Sequence, residues 1–312
     1  MSVATTTSSP MQAGAVSPAA PAWKVWSALW IVYLIWGSTY LAIRVMVETV
    51  PPLLGSGVRF TLAGAVMIGV LSLRRSVRPT RAQLLSALLV GLLLPGANAV
   101  VTVAEQEVPS SVAALLIASV PLWVILMRRG SGERVSRAGI GAVLVGFAGV
   151  ALLVRPGEQS GDATVLGLAA VVFAAVMWAS GSFASPRLKL PRDGLVSTGW
   201  QMLLGGLVIV AVGLALGEAS EVDPQAFSTR SVLALVYLIV FGSWVAFTAY
   251  AWLLQNAPIS KVSTYAYVNP VVAIVLGFLI LDEVVTPITV IGAAIIIVAV
   301  ALVVRIENTR RP

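Results

Sequence analysis

The chain of 312 residues contains no cysteine and no histidine. Without cysteine there are no disulfides, thiol nucleophiles or thiolate metal sites. Without histidine the chain lacks the commonest metal ligand and the commonest proton shuttle at neutral pH. Charge is also scarce: 11% of residues are Asp, Glu, Lys or Arg and 58% are hydrophobic, whereas a soluble domain carries about a quarter charged residues. The mean hydropathy is +0.96. There is no Walker A motif, so nothing points to ATP-driven work. No Ser/His/Asp set or metal cluster suggests catalysis, and no cofactor is expected.

Apolar runs take the place of all this. Ten are legible: Trp23–Val47, Leu53–Leu73, Ala82–Ala104, Ser111–Met127, Ala138–Val154, Ala163–Ala184, Leu195–Leu216, Ser231–Leu254, Val262–Leu281 and Pro287–Val304. Each is close to the ~20 residues a helix needs to cross a hydrocarbon core. Arg59 is the one ionisable group well inside a run.

The connecting segments alternate in charge. Sixteen of the 20 Lys and Arg fall in every second connection and at the termini, among them Lys24, Arg74, Arg75, Arg128, Arg129, Arg187, Lys261 and Arg305. The other connections hold ten of the 13 acids, including Glu48, Glu105, Glu107, Glu158, Asp162, Glu218, Asp282 and Glu283, with only Arg155 and Arg230 as bases. Short cytoplasmic loops retain Lys and Arg. Both termini are therefore expected in the cytoplasm, with an even number of spans in a bacterial inner membrane. The net charge of +7 belongs to this bias and to anionic lipid at the inner surface, not to a nucleic-acid partner.

Residues 1–21 are rich in Ala, Ser, Thr and Pro and carry no charge. They lack the basic and continuous apolar regions of a signal peptide and read as a disordered tail. The expected organisation is a cytoplasmic tail over 1–22, two five-helix units over 23–155 and 163–305, and a cytoplasmic tail over 306–312.

Those units are copies. Trp36-Gly37-Ser38 answers Trp178-Ala179-Ser180 at an offset of 142, which also places Arg59 on Gln201 and Gly64 on Gly206. Gln106-Glu107-Val108-Pro109 answers Gln255-Asn256-Ala257-Pro258 at 149, which carries Pro121 onto Pro270. Five is odd, so the second copy enters the membrane from the opposite side. An inverted repeat of this kind is a ground plan of secondary transporters. The expected fold is all-α and integral to the membrane, with ten transmembrane helices in an inverted five-plus-five repeat.

Trp36-Gly37-Ser38-Thr39-Tyr40, Gly57-Val58-Arg59-Phe60, Thr102-Val103-Ala104-Glu105, Ser119-Val120-Pro121-Leu122-Trp123 and Ser263 to Val271 resemble the EamA-domain exporters of the drug/metabolite transporter superfamily. The resemblance spans about residues 28 to 305 and implies a central cavity. It also implies export of amino acids, metabolites or drugs. One departure stands out: Met127 is followed by Arg128-Arg129-Gly130-Ser131-Gly132-Glu133, where the family usually continues apolar.

Several residue types suit a small-molecule cavity, which needs apolar area and a few directed polar groups. Trp36 and Tyr40 share a face of the first helix with Tyr33, and Trp178 shares one with Ser182. Trp244 and Tyr265 add rings with polar handles. Asn98, Gln201 and Asn269 add amides. Packing or interfacial belts are the alternative for the aromatics. Arg59 lies ~10 Å below the outer surface at 1.5 Å per residue; it reads either as an anion site or as a structural arginine, snorkelling outward or paired with Glu105. Pro121 and Pro270 each leave a carbonyl without its helical donor, at Ile117 and Ala266, and are candidate hinges. No carboxylate lies near mid-membrane, so proton coupling would fall to boundary residues such as Glu105 or Glu283. The expected function is export of small organic metabolites, amino acids or amphipathic drug-like compounds, by alternating access. Import or bidirectional flux on the same fold, and a sensor or scaffold without flux, are the alternatives. The expected partners are the small-molecule substrate and the lipid bilayer, with no nucleic acid; the chain works as a monomer or homodimer.

Reporters fused after Arg78, Arg134 and Arg192 are expected to report the cytoplasm, and those after Glu107, Asp162 and Asp223 the outer side. A consistent reversal rejects the orientation; a reversal part-way along rejects the span count.

Overall fold

The computed structural model describes residues 21–153, 163–257 and 259–308. The charged loop residues Arg155, Glu158 and Asp162, and most of both expected tails, lie outside them. Among the described residues there are helices and connections but no strand. The helices are α1 (Ala22–Met46), α2 (Pro52–Ser72), α3 (Arg81–Ala104), α4 (Ser110–Ile117), α5 (Val120–Gly130), α6 (Arg137–Leu153), α7 (Val165–Ala184), α8 (Gly194–Ala215), α9 (Thr229–Tyr237), α10 (Ala246–Asn256), α11 (Ile259–Val262), α12 (Tyr265–Leu281) and α13 (Pro287–Asn308). Eight segments are long and apolar enough to cross a membrane; α6 and α12 are shorter apolar helices. The basic stretch after Met127 does not end its helix early: α5 runs on to Gly130, and its segment spans Ser110–Gly130.

Two of these segments, and the approach to α12, are interrupted. The chain breaks between α4 and α5 at Ala118–Ser119, just before Pro121. It breaks again between α11 and α12 at Ser263–Thr264, about a turn before Pro270. Between α9 and α10 the backbone widens into a π-helical stretch, Leu238–Val245. Lipid offers no hydrogen bonds, so such backbone is tolerated only where protein or a water-filled cavity surrounds it.

Lipid also weakens the hydrophobic force between helices, so close packing of small residues substitutes for it. The most extensive contacts pair α2 with α8 and α6 with α13, followed by α3 with α8 and α7, and α1 with α12. Gly205 sits against the backbone of Gly91, and a Cβ built on Gly205 would lie 2.6 Å from the Gly91 carbonyl oxygen. Gly206 faces Gly57 and Thr61 of α2 in the same way.

The two ends of the bundle are held differently. At the acidic end, carboxylates from the second unit cap helices of the first. Glu218 accepts from the backbone N–H of Leu53 at 3.0 Å and Leu54 at 2.7 Å, at the start of α2. Glu283 accepts from the N–H of Ser110 at 2.7 Å and Ser111 at 3.1 Å, and from both hydroxyls, at the start of α4. Helix N-termini present unpaired N–H groups and a positive dipole end, so a carboxylate suits them. At the basic end, arginine–carboxylate pairs do the joining: Arg75 with Asp193, and Arg128 and Arg187 with Glu133. The Arg128 hydrogen bond, reinforced by Arg187, holds Glu133 below the usual carboxylate range. These pairs are half-exposed, where ion pairs contribute little.

Gly205→Ala is expected to lower the thermal unfolding temperature of detergent-purified protein, because overpacking of this kind costs about 1–3 kcal/mol. Gly69, where a Cβ meets nothing within 4 Å, is the control. Equal effects of Gly205→Ala and Gly69→Ala would overturn the close-packing account.

Candidate functional site

A cavity of about 140 Å³ lies among α1, α2, α3, α4, α5, α7, α8, α10 and α12. Eight of the ten residues singled out from the sequence line it. Trp36 and Tyr40 reach it from α1, Arg59 from α2 and Asn98 from α3. The second unit contributes Trp178, Gln201, Tyr265 and Asn269. Pro121 and Pro270 are on its wall, as are Ile117 and Ala266, the residues whose carbonyls the two prolines leave without helical donors. Ser182 is instead in an adjoining space of about 270 Å³, with Arg128, Tyr250 and Ser263. Trp244 turns away from both: its indole N–H donates to the Ala63 carbonyl at 2.9 Å, and its ring packs beside Phe60.

Arg59 organises the polar side. It is 3% exposed. Its Nε donates to Ser243 Oγ at 3.2 Å, its Nη1 donates to Asn98 Oδ1 at 3.0 Å, and its guanidinium lies 4.7 Å from the Phe60 ring centroid. The pairing with Glu105 considered from the sequence is not formed; the partners are neutral. The π-helical stretch explains the geometry. It brings Gly242 and Ser243 to the guanidinium, and the Gly242 carbonyl accepts from the Trp36 indole at 3.3 Å. Beside this group, the amide oxygen of Asn269 is buried and accepts from no donor among the described residues. Gln201 spends its amide N–H on Ser197 Oγ at 2.8 Å.

Opposite lies an aromatic corner. Trp36 meets Phe247 edge-on at 5.1 Å, Tyr265 edge-on at 5.3 Å and Tyr250 at 5.1 Å. Such rings supply apolar area with a preferred geometry. The cavity is thus lined by one guanidinium, the side-chain amides of Asn98, Gln201 and Asn269, and one aromatic wall. It shares Val120, Pro121, Trp178, Tyr265 and Ala266 with the adjoining space, which leads towards Arg128 and the basic end. Ser243, Phe247 and Thr198 were missed from the sequence. Ser243 sits in the apolar run Leu238 to Phe247, where only Gly242-Ser243 hints at a close approach.

Comparison with known proteins agrees with this architecture. The model of the EamA-like transporter family matches residues 24–155 and 165–305. The inner membrane transporter YedA of Escherichia coli K12 is 38% identical over 281 residues, covering 89% of this chain and 90% of that one. A WAT1-related chloroplastic protein of Arabidopsis thaliana is 25% identical over 287 residues, covering 89% and 69%. One solved crystal structure shares the fold with a TM-score of 0.62 at 24% identity, over 92% of this chain and 99% of its own. With both halves matched and a relative of this similarity along nearly the whole length, the chain belongs to the EamA-like transporter family of membrane transporters, within the drug/metabolite transporter superfamily.

Proposed function

We propose that the chain is an inner-membrane secondary transporter that exports small amphipathic organic molecules, amino-acid-like or drug-like, by alternating access. Two five-helix repeats of opposite topology would rock about the cavity, with the basic end in the cytoplasm. The pattern of helix contacts supports this: exchanging the two units turns each of the main pairs into itself or into another observed pair. The α2–α8 and α6–α13 pairs map onto themselves, α1–α12 maps onto α5–α7, and α3–α7 maps onto α1–α10. The name of the E. coli relative supports the inner membrane. The carboxylate caps at the acidic end and the adjoining space at the basic end support a conformation facing the cytoplasm.

The observation that carries the substrate reading is Arg59. A buried guanidinium has five donors; here two bonds to neutral groups hold it in place and leave charge and donors for an anion. A substrate carboxylate would take that position, an ammonium or hydroxyl would meet Asn269 Oδ1, and an apolar or aromatic body would rest on Trp36 and Tyr265. Tryptophan has all three parts and is the first probe.

The test is counterflow of labelled tryptophan in proteoliposomes, alongside a thermal-shift screen of further carboxylates and amines. Arg59→Lys should keep part of the binding without the forked geometry, and Arg59→Gln should lose most of it. Losing one charge-assisted bond costs roughly 1.5–3 kcal/mol, or about 10- to 150-fold in apparent affinity. Folded yield should stay near normal in both, because Asn98 and Ser243 are neutral and no charge is stranded. Normal flux in Arg59→Gln would reject the anion-site reading; loss of folded protein would make Arg59 structural.

A further inference from the structure

Glu105 follows the last residue of α3 and is 0% exposed. Neither of its carboxyl oxygens accepts a hydrogen bond from any donor among the described residues. Its place worsens matters, because the carbonyl end of a helix carries negative partial charge. Arg44 is close by, but its Nη1 donates to the main-chain oxygens of Glu105 and Gln106 and not to the carboxyl group. Glu283, at the same end of the bundle, has four donors. One of these two carboxylates is built into the fold, and the other is held without support.

The ionisable groups facing Glu105 are few. Tyr40 and Arg44 come from α1, Arg59 from α2, and Glu283 from beyond α12. Helices α4 and α7 contribute no ionisable side chain. Glu107, two residues on, is hydrogen-bonded by the Thr164 hydroxyl. An ionised carboxylate that is buried without donors is costly, and one added proton removes most of that cost. A group of this kind resists burial when ionised and tolerates it when protonated. Closing the acidic end over it is therefore linked to taking up a proton.

Resting on the transporter reading above, we propose that Glu105 is the proton site of the transport cycle. With the acidic end open, the carboxylate takes a proton from water on that side, forming one O–H bond. The end then closes on the neutral acid, as in the structure. The O–H bond breaks to water entering from the open basic end, past Tyr40, which lines the cavity, while Arg59 is free of substrate and its charge favours the ionised carboxylate. One proton thus crosses from the acidic to the basic side, opposite to the exported molecule. Glu283 is not assigned this role because four donors already engage its two carboxyl oxygens as a helix cap.

The experiment uses full-length protein in phosphatidylcholine liposomes, with Glu105→Gln, Glu105→Asp and Glu283→Gln. Infrared difference spectra are recorded from about pH 5 to about pH 9. A protonated-carboxyl band that titrates in wild type should vanish in Glu105→Gln and remain in Glu283→Gln. In parallel, tryptophan accumulation driven by a pH gradient should be lost in Glu105→Gln and partly restored in Glu105→Asp. Counterflow, which needs no net proton movement, should persist in all three. Wild-type bands and gradient-driven accumulation in Glu105→Gln would overturn the proposal. So would loss of counterflow and thermal stability together, which marks a structural role. Absence of counterflow in wild type for every compound that shifts its unfolding temperature defeats the transporter reading, whereas the infrared band decides the proton site on its own.

Discussion

Hydrocarbon offers a stray peptide group no partner, and this constraint sets where the helices of this bundle can be interrupted. The three interruptions all lie beside residues that line the cavity. The break at Ala118–Ser119 precedes Pro121 on its wall, and the break at Ser263–Thr264 precedes Tyr265 and Ala266. The π-helical stretch turns the Gly242 carbonyl to Trp36 and Ser243 to Arg59. Irregular backbone and substrate chemistry coincide because only a protein-lined space can satisfy both. The carboxylates on the α2 and α4 N-termini answer the same demand, meeting the N–H groups that no preceding turn can pair.

The two segments matched by the family model, 24–155 and 165–305, differ in chemistry. Trp36 and Trp178 hold corresponding places and both line the cavity, whereas Arg59 corresponds to Gln201. Only the first unit carries the charge. The ends differ in the same way. Glu283 is fully engaged with Ser110 and Ser111, while Glu133, near the corresponding place in the first unit, pairs with half-exposed arginines. Capping of a buried helix end is hardly screened by solvent, but exposed ion pairs are. The contacts at the two ends are unequal in strength, and the weaker ones are at the basic end.

Much of this was legible in the sequence because the signals are one-dimensional. Spans follow from run length, and the offsets linking Trp36 to Trp178 and Pro121 to Pro270 pair residues that all line the cavity. The cavity lining was largely legible too, since a polar or aromatic residue in an apolar run needs a protein-facing surface. What escaped depends on partners far away in sequence. Nothing local tells that Trp244 donates to Ala63, or that Ser243, 184 residues away, rather than Glu105 meets Arg59. The π-helical widening leaves no periodic mark, because one extra residue in a turn hardly disturbs an already uniform apolar pattern. The positions of the two prolines matched in sequence, yet the helix breaks beside Pro121 and a turn before Pro270.

The missing Arg59–Glu105 pair has a functional logic. A guanidinium locked to a carboxylate is neutralised, and a substrate anion would have to displace that partner at the cost of leaving it buried and unpaired. Asn98 and Ser243 orient Arg59 without neutralising it. The positive charge is then offset by dipoles alone, which is costly in the empty site and is relieved when an anion enters. The same separation leaves both Glu105 carboxyl oxygens without a donor among the described residues, although Arg44 holds the adjacent main-chain oxygens. Keeping the two ionisable groups apart thus preserves a separate role for each, which a salt bridge between them would have abolished.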